Sequence, residues 1–170
     1  MRVLISVIII LFWLSSSCKQ VEKRPSESTI RSDSVNLEAV EIPLYEDLNG
    51  NPISLNKYKG KKILLNFWAT WCRPCIQEMS SLKRSESFLK QENYLLLLAS
   101  DQSAKEIEAF KAETDYNLNF IRYTGTFSQL KIYALPTTFV FNEKGEKIAE
   151  INGASDWDSP GMMHKLKNFE

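Results

Sequence analysis

The passage from residue 63 to residue 90 constrains this chain more than any other. Ile63-Leu64-Leu65-Asn66-Phe67-Trp68 is an apolar run long enough for a buried strand. From Pro74 to Lys90 the apolar residues Ile76, Met79, Leu82 and Leu89 recur near helical spacing, with polar residues between them. The junction is Trp71-Cys72-Arg73-Pro74-Cys75. Strand, cysteine loop, helix places both sulfurs at a helix N-terminus, where backbone N–H groups stabilise negative charge. A cysteine thiol there falls below its free pKa of about 8.5. Arg73 adds a positive charge, and Pro74 suits a first helical turn while stiffening the link between the sulfurs.

Residues three apart share a helix face with Cα atoms roughly 5 Å apart, so Cys72 and Cys75 can close a disulfide without moving the backbone. As a staple this ring is weak. On chain-entropy grounds four residues contribute about 2 kcal/mol, against about 3 kcal/mol for a fifteen-residue loop. As a redox couple it is well built, because one sulfur attacks a partner disulfide and its neighbour resolves the mixed disulfide. A zinc knuckle would need two more ligands. The chain has one histidine, His164, and one other cysteine, Cys18. The reading is therefore a redox couple with no metal and no cofactor beyond the disulfide, and His164 is a surface residue of the last helix.

The remaining pattern is α/β. Residues 40–44 and 52–55 flank Asp47-Leu48-Asn49-Gly50-Asn51, a hairpin signal. Residues 94–99 (Y-L-L-L-L-A) are apolar throughout, as in a central strand covered on both faces. Ser103 and Glu106 have capping-box spacing before a short helix containing Ile107 and Phe110. A strand over 118–122, a short helix over 127–133 and a break at Leu135-Pro136 follow. Strands over 137–141 and 147–151 then flank a turn, and a helix covers 161–169. Alternating β and α elements imply a three-layer domain over residues 40–170, with a central mixed sheet and an N-terminal β-hairpin.

Residues 3–14 are apolar except for Ser6, and they precede Ser15-Ser16-Ser17-Cys18. Twelve residues make about 18 Å of helix, short of a hydrocarbon core of roughly 30 Å, so residues 1–17 read as a signal peptide. The flank resembles the lipobox of bacterial lipoproteins, although Ser15 stands where that pattern prefers Leu; the resemblance implies cleavage before Cys18 and lipidation of that cysteine. Several acyl chains on one cysteine anchor stably, where a single chain does not. Residues 18–39 are rich in serine and charge and form a flexible tether. The chain is exported and lipid-anchored in the cell envelope. With 21 basic and 21 acidic side chains interspersed, no long-range field favours nucleic acid.

L-N-F-W-A-T-W-C-R-P-C (65–75), followed about sixty residues later by L-P-T-T-F (135–139), resembles the thioredoxin superfamily, specifically its exported TlpA/ResA-like thiol:disulfide oxidoreductases. The resemblance implies a thioredoxin-like fold, an exposed nucleophile at Cys72 and a resolving thiol at Cys75. It also implies a cis Pro136 packed beside the disulfide. A cis X-Pro bond exposes the backbone of Leu135, to which a substrate peptide can add as a short strand. Trp71, Pro74, Leu135 and Thr137 are the expected substrate contacts; Trp71 covers one side of the nucleophile, and Trp68 belongs to the core. Thioredoxins carry a buried acid where this chain has Asn66, so Glu78, three residues after Cys75, is the candidate for handling its proton. Partners implied are protein disulfides, apocytochrome cysteines among them, and a thiol electron donor in the membrane.

Two other functions share the fold. Peroxiredoxins have the pattern P-x-x-x-T-x-x-C; here Thr70 is two residues before Cys72, and an apolar strand occupies the proline position. Copper-carrying relatives use Cys-x-x-x-Cys with a distant histidine, one residue longer than the spacing here.

Overall fold

The structure is a computed structural model that describes residues 44–169. The signal peptide, Cys18, the tether and residues 40–43 of the expected hairpin arm lie outside the described residues.

Seven strands form one mixed sheet: β1 (Tyr45–Glu46), β2 (Pro52–Ile53), β3 (Lys62–Phe67), β4 (Tyr94–Ser100), β5 (Phe120–Tyr123), β6 (Thr137–Phe141) and β7 (Lys147–Asn152). Their order across the sheet is β2-β1-β5-β4-β3-β6-β7. The β3–β4 and β4–β5 pairs are parallel, and β1, β6 and β7 join antiparallel. Among the described residues three helices accompany them: α1 (Arg73–Gln91), α2 (Ala104–Glu113) and α3 (Pro160–Lys167).

The two-residue alternation of β3 sorts the core. Leu64 and Trp68 join a cluster with Met79 and Leu82 of α1, Ile107 of α2 and Leu166 of α3. Ile63, Leu65 and Phe67 face the other way, among Ile53, Leu97, Ile121, Tyr123 and Phe139. The layers are unequal. All three described helices cover one face, and on the opposite face Leu55 and Tyr58 of the 3-10 turn Leu55–Tyr58, and Phe127 and Leu130 of the turn Phe127–Leu130, pack against the core.

Two local expectations change after the hairpin, whose described residues pair Tyr45↔Ile53 and Glu46↔Pro52. Asp47 Oδ1 accepts from the backbone N–H groups of Asn49 and Asn51, so the turn tightens and pairing begins on its immediate flanks. The strand over 52–55 stops at Ile53 because Ser54 caps a 3-10 turn. The helix expected over 127–133 is a single 3-10 turn. Lys131 is left-handed (φ 59°), and its N–H returns to the carbonyls of Phe127 and Ser128, which ends the helix.

The parallel strands aim their carboxyl ends at the cysteine loop, where open α/β sheets place their sites. β6 brings the proline loop to the same end, since its first residue, Thr137, pairs with Phe67, the last residue of β3.

Candidate active site

Cys72 is the N-cap of α1, and Pro74 lies in the first turn. Two backbone bonds hold the preceding loop: Trp68 N–H donates to Ala99 O (3.0 Å) and Cys72 N–H to Ala69 O (3.0 Å). Cys72 and Cys75 form a disulfide with Cα atoms 5.3 Å apart. The Cys75 backbone N–H points at Cys72 Sγ (3.3 Å). In the reduced protein that N–H and the α1 dipole favour a Cys72 thiolate.

Cys72 is more enclosed than the resemblance implied. Cys72 is 4% exposed rather than an open nucleophile, and Cys75 is 1% exposed. The disulfide joins the helix-side core, where Leu135 also packs. Trp71, by contrast, is 73% exposed next to Cys72, whereas Trp68 is fully buried between Phe110 and Phe120, as expected of a core residue. Arg73 and Pro74 are exposed beside the sulfurs. The exposed His164 in α3 takes no part in the site.

The Leu135-Pro136 peptide bond is cis, and Leu135 is half-buried. The Pro136 carbonyl accepts from Gly153 N–H (2.9 Å), which fixes the loop to the chain after β7. Thr137, expected among the substrate contacts, is 2% exposed; its hydroxyl is engaged within the loop, 2.8 Å from Ala134 O and 3.0 Å from Asn152 Oδ1. Its side chain shapes the loop and does not face outward.

Glu78 is 4% exposed, on the inward face of α1 one turn after Cys75. Its Oε1 accepts from Asn66 Nδ2 (2.8 Å), and its Oε2 from Ser155 N (2.9 Å) and Trp157 Nε1 (2.9 Å). Asn66 Nδ2 also donates to Thr138 Oγ1 (2.9 Å). Burial pushes the Glu78 carboxyl above the ordinary range, and the three N–H donors pull partly back. Asn66 thus has a definite role: it cannot titrate, and it orients the acid that can.

Sequence reasoning missed two groups. Gln102, after β4, donates from Nε2 to Thr70 Oγ1 (2.9 Å) and accepts Thr70 N–H at Oε1 (2.7 Å), clamping the loop two residues before Cys72. Ser155 and Trp157 reach Glu78 from 77 and 79 residues away. No local pattern announces either contact; a lone Gln after an apolar run and a tryptophan near the C-terminus read as ordinary surface and core.

The AhpC/TSA family model matches residues 35–150. The chain is 38% identical over 104 residues to the thioredoxin-like protein YneN of Bacillus subtilis, covering 58% of this chain and 60% of YneN. It is 30% identical over 128 residues to the thiol-disulfide oxidoreductase ResA of the same organism, covering 73% of this chain and 69% of ResA. The matches therefore span about two thirds or less of those relatives' length. The exposed lipoprotein thioredoxin Etrx1 of Streptococcus pneumoniae superposes with a TM-score of 0.61 at 22% identity, over 71% of this chain and 94% of Etrx1. At that identity the likeness shows a shared thioredoxin-like fold.

Proposed function

This chain belongs to the AhpC/TSA family of thioredoxin-like proteins and, within it, to the ResA-like thiol-disulfide oxidoreductases; on that premise we propose that it reduces disulfides of exported proteins at the envelope side of a membrane. The observation that carries the reading is the Cys72–Cys75 disulfide at the N-terminus of α1, at the sheet end that also holds the cis Leu135-Pro136 bond. A peptide substrate lies along the Leu135 backbone with Trp71 and Pro74 as its rim.

On this reading the exchange runs in two steps. Cys72 thiolate attacks a substrate S–S bond; a mixed disulfide forms and one substrate sulfur leaves as thiolate. Cys75 then loses its proton to Glu78 and attacks Cys72 Sγ. The Cys72–Cys75 bond closes, the bond to substrate breaks, and the substrate leaves with two thiols. Two electrons have passed from the pair to the substrate; the Cys75 proton rests on Glu78, and the substrate sulfurs take their protons from solvent. A membrane thiol donor restores the dithiol, so no other cofactor is needed. Lipid on Cys18 holds the protein near that donor, and apocytochrome c awaiting haem is among its substrates.

Peroxidase activity is not favoured, despite the family match, because no Pro stands at the patterned position before Cys72 and Thr70 is one residue too close to it. The test of the oxidoreductase reading is Cys75→Ala in the native envelope, which leaves the mixed disulfide on Cys72 unresolved. An exported protein captured on Cys72 is the expected result. Absence of any capture, with envelope thiols unchanged in Cys72→Ala, overturns it.

A further inference from the structure

Trp68 and Trp157 are both fully buried, yet their indole N–H groups fare differently. Trp68 Nε1 has no hydrogen-bond partner. Trp157 Nε1 donates to a carboxylate, Glu78 Oε2, at 2.9 Å. The Trp157 backbone N–H donates to Ser81 Oγ (3.2 Å), so the residue grips α1 at two points three residues apart. Ser155 N adds a second donor to the same carboxylate oxygen.

We propose that Trp157 is a positioning residue: its indole N–H fixes the Glu78 carboxylate and sets the pH at which Cys75 surrenders its proton. The inference rests on the reading of Glu78 as the proton acceptor of Cys75. In the resolving step the Cys75 S–H bond breaks, its proton forms the Glu78 O–H bond, and the sulfur's electron pair makes the new bond to Cys72 Sγ. The electron pair of the mixed disulfide leaves on the substrate sulfur, which becomes a thiol with a proton from water. Glu78 returns its proton to solvent through an open groove of about 280 Å³, bordered by Gln77, Ser81, Arg84, Ser155 and Asp156.

The charges that face this groove are Arg84 of α1, paired with Asp158 (Nη2 to Oδ1, 3.0 Å), and Asp156. From β3 and β6 the neighbours are the uncharged Asn66 and Thr138. The N–H donors to Glu78 therefore supply the stabilisation of its ionised form, and burial supplies the opposition.

Trp157→Phe keeps the ring in the core and removes the N–H. Loss of one donor raises the Glu78 pKa, so the acid limb of the pH profile for mixed-disulfide resolution moves up by about one pH unit, a tenfold change in proton affinity. Glu78→Gln erases that limb, and adding Trp157→Phe to it changes nothing further. In the unsubstituted protein the Trp157 indole N–H resonance titrates with the midpoint of the limb, which keeps the test open even where Trp157→Phe folds poorly. A limb that Glu78→Gln leaves intact overturns the reading of Glu78 itself. A limb that Glu78→Gln erases but Trp157→Phe does not move, or an indole resonance that does not titrate, overturns the role of Trp157 alone.

Discussion

Asn66 and Glu78 show how one uncharged side chain governs a buried charge. Their 2.8 Å contact means that Asn66→Asp sets two carboxyl groups together in a buried site, where both cannot ionise. One of them keeps its proton, with a folded-state pKa far above its unfolded value. The sign follows: stability is present at low pH and is lost as pH rises through the raised pKa. Asn66→Asp should therefore be about 2–3 kcal/mol less stable relative to the parent at pH 8 than at pH 5, measured by urea unfolding. The parent shows the same sign more weakly, because burial raises Glu78 while its donors oppose the shift. Glu78→Gln should flatten that pH dependence. Cys72 and Cys75 were legible in the sequence because the strand, loop and helix around them are written in adjacent residues, and Pro136 through the resemblance that L-P-T-T-F carries. Glu78 was legible through its one-turn offset from Cys75. The donors that make it a buried acid were not, since Ser155 and Trp157 meet it only through the tertiary fold.

Among the elements, α2 ties secondary structure to the site. Ser103 Oγ accepts from Glu106 N (3.3 Å), and Glu106 Oε2 accepts from Ser103 N (2.9 Å), the capping box anticipated from their spacing. Ser103→Ala should cost about 1 kcal/mol in denaturant unfolding. Gln102 lies one residue earlier and holds Thr70 with two hydrogen bonds. Gln102→Ala should cost about 1–2 kcal/mol and also slow thiol exchange at Cys72, measured by stopped-flow alkylation of the reduced protein; equal stability loss with unchanged exchange would confine Gln102 to a structural role. Long elements were readable: the apolar runs of β3 and β4 and the periodic α1 follow the expected spans closely. Short ones slipped, as at β2 and the turn after Phe127, because a serine-capped 3-10 turn and a left-handed lysine decide their bounds rather than hydrophobic period.

At the scale of the whole molecule, the sheet separates support from chemistry. Phe67 packs edge-on against Phe139 (5.0 Å) and Phe127 (5.7 Å) on the face away from the helices, directly before the residues that lead to Cys72. Phe67→Ala should lose about 3–5 kcal/mol of stability in denaturant unfolding, the range for a truncated core aromatic. No helix among the described residues is long and apolar enough to cross a membrane. On the proposed reading the membrane is reached through Cys18, and Cys18→Ala should shift the protein from the membrane to the soluble fraction with unchanged exchange activity. The α/β class was visible in the sequence through its alternating elements. The placement of all three helices on one face was not, because it depends on which side of the sheet each connection crosses. The central claim is that Cys72 and Cys75 act as one reversible couple toward protein disulfides. Its most direct measurement mixes the reduced, purified protein with a disulfide-bonded protein and counts thiols by alkylation and mass. The account predicts one substrate disulfide opened for each Cys72–Cys75 bond closed, and no transfer by Cys72→Ala. A pair that small oxidants close readily but that passes no electrons to protein disulfides would contradict it.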